Sequence, residues 1–107
     1  MVEPLFIDWD GKSGREYRYW IFKIGTTFSK NPGNYIIAKE VKPNEWSPVY
    51  IGQTNDLSEH FKDHKNMDCI KHRGGTHIHI HTSGNDNDAR LAEEKDLKLR
   101  WHPACND

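Results

Sequence analysis

The chain has no excess charge of either sign, no long apolar run and almost no cysteine, and each absence removes a class of protein. Fifteen Lys and Arg stand against sixteen Asp and Glu, for a net charge of -1 with seven histidines counted neutral. That balance excludes a strongly basic nucleic-acid binder, whose affinity comes largely from neutralising phosphates and releasing counterions. Any such binding must use local patches. Lys12, Arg15 and Arg18 form one, and Lys62, Lys65, Lys71, His72 and Arg73 another, while acids gather over residues 84–96; charge runs of this kind are more often solvated faces. The opening MVEPLFIDWDG acquires charge before an apolar run reaches signal-peptide or membrane-spanning length, and no later stretch is long enough. The two cysteines, Cys69 and Cys105, form no C-x-x-C pair and lie far apart. Neither a disulfide framework nor a cysteine-rich zinc site is expected from them, and the reading is of a reducing compartment and a cytoplasmic protein. With 107 residues the chain is one domain, 1–107, large enough to bury roughly two-thirds of its surface.

Hydrophobic periodicity predicts an α+β chain. LFIDW and REYRYWIFKIG flank the turn-rich Asp10-Gly11-Lys12-Ser13-Gly14 and read as a hairpin over residues 5–24. In its second strand Tyr17, Tyr19 and Ile21 alternate with Trp20, Phe22 and Ile24, which predicts aromatics filling a core rather than stacking on bases. TTFSKNPG reads as loop. NYIIAKEV and PVYIGQT form a second strand pair joined by KPNEWS, with the prolines at the connection. This pairing brings Tyr35 and Tyr50 close. Thr54 or Asn55 caps a helix from Asp56 to about residue 68, whose Leu57, His60, Phe61 and His64 recur at i, i+3, i+4 and i+7 and face the sheet. After Gly74-Gly75, THIHIHTS is a strand with Ile78 and Ile80 packed and His77, His79 and His81 on a polar face. A last helix runs over about residues 88–101, from the Asn85-Asp86-Asn87-Asp88 cluster to before Pro103. Along it Arg90, Glu94, Leu97 and Trp101 fall in line, so Glu94 is half-buried and Glu93 turned roughly 100° away. A half-buried carboxylate needs a cation, supplied by a metal ion or by Arg90.

GNY at 33–35, VYIGQTNDL at 49–57, His64, RLAEEKDL at 90–97 and PACN at 103–106 resemble the GIY-YIG nuclease family. The resemblance spans residues 33–106, leaving 1–24 as an added N-terminal hairpin. It implies a small antiparallel sheet flanked by helices that hydrolyses DNA phosphodiester bonds with one divalent metal, Mg²⁺ or Mn²⁺. Tyr35 and Tyr50 match the motif tyrosines, one of which positions or deprotonates the attacking water. Glu94 matches the metal-binding acid, a hard oxygen ligand suited to Mg²⁺. Gly52 permits close approach near the site, His64 matches a histidine frequent in the family, and Asn106 resembles an asparagine that supports the site.

At position 60 the family pattern has an arginine that steadies the phosphate, and this chain has His60. Imidazole, near pKa 6.5 and without the bidentate fork, is a weaker stabiliser, so activity is expected to be reduced unless Arg73 or Arg90 supplies the cation. The alternative is a catalytically inactive scaffold that binds nucleic acid or protein. A third reading is a zinc site, from His60 and His64 at i, i+4 and from the histidine face 77–81. No separate recognition domain is visible, so specificity would come from a protein partner, a homodimer or hairpin 5–24.

Overall fold

The computed structural model describes residues 5–58, 66–82 and 86–106. Five antiparallel strands form one curled sheet, a half-barrel in the order β1-β2-β5-β3-β4. The strands are β1 (Phe6–Asp10), β2 (Glu16–Lys23), β3 (Gly33–Lys42), β4 (Glu45–Thr54) and β5 (His77–His81). A short helix α1 (Met67–His72), a long helix α2 (Asn87–Trp101) and a 3-10 turn (Ala104–Asn106) complete the described fold. The chain is therefore α+β, as its periodicity predicts.

Strand alternation divides the side chains between two cores. On one face Trp9, Tyr19, Ile36, Ala38 and Ile51 pack with Leu97 of α2. On the other, Tyr35, Ile37, Val49, Ile78 and Ile80 pack with Leu57, Ile70 of α1 and Cys105. β5 lies between β2 and β3, bonded on both sides, and neither of its faces meets bulk water along its middle. His79 is consequently buried, with Trp9 Nε1 donating to its Nδ1 at 3.0 Å and Trp46 packed edge-on against it. The strand face expected to be polar is covered by aromatic rings at His77 and His79 and by Glu93 of α2 at His81.

The hairpin forms where the turn residues place it, but it is part of the sheet, since β2 pairs with β5 from Trp20↔Ile80 to Lys23↔His77. Its turn is fastened to α2: Asp96 accepts from Ser13 N (2.9 Å), Ser13 Oγ (2.6 Å) and Tyr17 OH (2.8 Å). The aromatics of β2 divide, with Tyr19 buried and Trp20 facing outward beside Phe6. The β3–β4 turn is tighter than expected, at residues 43–44, with Asn44 at φ 64°. Pro48 sits inside the ladder opposite Ala38 and not in the connection. An edge strand tolerates it because a proline lacks the N–H that a second neighbour would need, and a register shift falls between Ile37 and Ala38.

The two cysteines correct their reading: Cys69 and Cys105 form a disulfide across a sequence separation of 36, joining α1 to the 3-10 turn. Their distance in sequence hid their proximity, and the argument for a reducing compartment falls with it. Among the described residues no helix is long and apolar enough to cross a membrane. The predicted helix 56–68 lies mostly outside the described residues. Within them, the Asp56 carboxylate accepts from Ser58 N and Oγ in a turn, and these bonds hold its pKa below the usual carboxylate value.

Candidate functional site

Tyr35 and Tyr50 are brought together by strand register. Gly52 stands opposite Tyr35 and Tyr50 opposite Ile37, so the tyrosines are diagonal neighbours on one sheet face, stacked with ring centroids 5.8 Å apart at 20°. Gly52 makes this possible. A Cβ there would lie 2.6 Å from the Tyr35 hydroxyl oxygen and 2.9 Å from Tyr50 Cε1, so only glycine lets the two rings converge. Tyr35 is fully buried and Tyr50 partly so. Burial, followed by the charge and hydrogen bond of Tyr50 and the charge of Glu94, pushes the Tyr35 pKa far above its ordinary value.

Asn106 steadies the residue between the tyrosine and the glycine. Its Oδ1 accepts from Ile51 N at 2.8 Å and its Nδ2 donates to Ile51 O at 2.7 Å. The side-chain amide thus stands in for a sixth strand on the open edge of β4. The disulfide and a bond from Asn66 Nδ2 to Cys105 O at 2.9 Å hold that turn in place.

Glu94 is half-buried, with a 20 % exposed side chain, and Lys98 one turn on is its ion partner at 3.3 Å. The expected Arg90 partner goes elsewhere. The Arg90 guanidinium donates to Gln53 Oε1, Asn55 Oδ1 and Asn87 Oδ1, and its carbonyl accepts from Asn34 Nδ2. Arg90 therefore ties α2 to the ends of β3 and β4. Arg73 is exposed at the end of α1, where Thr76 N bonds Ala38 O, near the far end of β3 from Asn34. His60 and His64 lie outside the described residues.

Glu93, expected to turn away from the apolar line of α2, is instead its buried acid. It is only 6 % exposed, and its Oε2 accepts from the Tyr19 hydroxyl at 2.5 Å and from His81 Nδ1 at 2.9 Å. Arg90, Glu93 and Leu97 are the buried positions of α2, so its inward stripe is centred one residue from the line through Glu94. The bond to Glu93, partly opposed by burial, raises the His81 pKa. Burial and then the Glu93 charge push the Tyr19 pKa well up, so it remains a neutral donor. Burial, with a smaller effect of His77, pushes the His79 pKa down to about 3. Among the described residues no three His, Cys, Asp or Glu side chains converge as a metal cluster, and the histidine face 77–81 is taken up by Trp9, Trp46 and Glu93.

No family model, curated protein or solved structure matches the chain.

Proposed function

We propose that the protein is a divalent-metal-dependent endonuclease of the GIY-YIG type that hydrolyses DNA phosphodiester bonds. The observation that carries this reading is the convergence of Tyr35 and Tyr50 over Gly52, with the Glu94 charge near enough to oppose ionisation of Tyr35. A core needs neither the stacked hydroxyl pair nor the glycine beneath it, whereas a site that orients water and a phosphate uses both.

Each residue has a part that follows from its surroundings. Tyr35 cannot lose its proton at ordinary pH, so it orients a partner as a hydrogen-bond donor and takes no proton. Tyr50 is the less buried of the pair, so its hydroxyl is the one to meet the attacking water. Glu94, half-buried and a hard oxygen donor, would hold Mg²⁺ or Mn²⁺ by its carboxylate, and its ion partner Lys98 would give way. The ion would supply charge stabilisation at the leaving oxygen. Asn106 keeps Ile51, and with it Tyr50 and Gly52, in register. Arg90 acts as a brace between α2 and β4.

The burial of Tyr35 and the Lys98 pairing of Glu94 also suit a second reading, a scaffold that binds without cutting. Nicking of supercoiled plasmid with Mg²⁺ or Mn²⁺ by the wild type, Tyr50→Phe and His60→Arg separates the two. A nuclease nicks only with metal and loses the activity in Tyr50→Phe. A binding scaffold leaves the plasmid intact in all three proteins.

A further inference from the structure

The outer surface of the β1–β2 hairpin carries three planar side chains that neither core uses. Phe6 and Trp20 stand directly opposite one another in the ladder, 48 % and 41 % exposed, with ring centroids 5.5 Å apart at 66°. Asp8 opposes Arg18 two residues along. Its carboxylate accepts from Arg18 Nε at 3.0 Å and Nη2 at 3.3 Å, and the guanidinium carbon lies 4.0 Å from the Phe6 ring centroid. Two bonds from one side fix the plane of the guanidinium, so cation and ring form a preorganised stack.

We propose that Phe6, Trp20 and Arg18 are a stacking platform for the unpaired bases of single-stranded DNA or RNA. Every base offers a flat π face to an aromatic ring or a guanidinium plane, and a duplex hides those faces in its own stack. Charge suits this occupant: Asp8 is engaged by Arg18 and Asp10 by Arg100 at 3.3 Å, which leaves Lys12, Arg15 and Lys23 against Glu16 and the Asp96 carboxylate that fastens the turn, a small positive excess around the hairpin. A second copy of the chain suits it less. A two-fold antiparallel pairing of β1 edges centred on Asp8 sets two aspartates opposite each other, a destabilising arrangement. The proposal shares with the nuclease reading only the expectation of nucleic acid, and binding measured without metal tells their failures apart.

The test is fluorescence anisotropy of dye-labelled oligothymidylate and oligouridylate, each of about a dozen nucleotides to span a typical site, titrated with the full chain in the absence of divalent metal. Both strands bind, and a blunt duplex of the same length binds more weakly. Phe6→Ala and Trp20→Ala each weaken binding about tenfold or more, and Trp20→Tyr keeps most of it. Arg18→Glu, on an exposed pair that contributes little to stability, weakens binding too and stands in if an alanine variant does not fold. Binding of one strand type alone narrows the ligand to DNA or to RNA. Absence of binding to both strands, unchanged affinity in folded variants, or a dimer that these substitutions dissolve overturns the proposal, the last by showing a second copy on the patch.

Discussion

Gly52 is where one side chain's absence does most. An alanine there would press its Cβ between the Tyr35 hydroxyl and the Tyr50 ring, and because Tyr35 is fully buried its ring has nowhere to retreat. Gly52→Ala is expected to cost about 1–3 kcal/mol, the usual range for overpacking, read from the denaturation midpoint at constant slope. It should also abolish nicking, because the tyrosines part. Little of this is written in the sequence. The YIG tripeptide flags the glycine, but the closeness of Tyr35 to Gly52 is a consequence of strand register. Glu93 is less legible still, because Arg90, Glu93 and Leu97 make as regular a stripe as Arg90, Glu94 and Leu97. Only Tyr19 and His81, brought across the sheet, decide which acid faces inward.

The edge of β4 is closed by a side chain and a covalent bond rather than by another strand. Asn106→Ala removes both bonds to Ile51, at an expected cost of about 1–2 kcal/mol for groups that water can partly reach, seen as faster hydrogen exchange confined to β4. Reduction of Cys69–Cys105 releases the turn that carries Asn106. A closed loop of this separation, 36 residues, contributes about 3–4 kcal/mol in the chain-entropy account, so a dithiol should lower the unfolding midpoint markedly and Cys69→Ser with Cys105→Ser should reproduce the loss. A midpoint unmoved by reduction would contradict that role. The strands were legible as elements because alternation and turn residues mark them locally. The Cys69–Cys105 pairing and the place of Pro48 in an edge strand depend on strand order, which local pattern does not carry.

Across the whole molecule the buried His79 and the partly buried His81 oppose one another in pH. His79 has its folded pKa depressed to about 3, so below the unfolded value near 6.5 the unfolded chain binds more protons and stability falls as pH falls. From pH 7 to pH 5 that loss is about 2 kcal/mol. His81 has its folded pKa raised by Glu93; its contribution is fully present below the unfolded value and is lost as pH rises through the folded one. Stability should therefore peak near pH 6–7 and decline on both sides, with His81→Gln flattening the alkaline limb alone. Urea midpoints across pH 4.5 to 8.5 would show it. A stability that climbs steadily toward pH 8.5 would contradict the ion pair between His81 and Glu93.

The most direct test of the functional account is metal-dependent nicking of supercoiled plasmid by the wild type beside Glu94→Ala, with folding verified by melting of both. The account predicts nicking with Mg²⁺ or Mn²⁺ that vanishes in a folded Glu94→Ala chain. Nicking that persists undiminished without Glu94, or a folded wild type that leaves the plasmid intact with either metal, would contradict it.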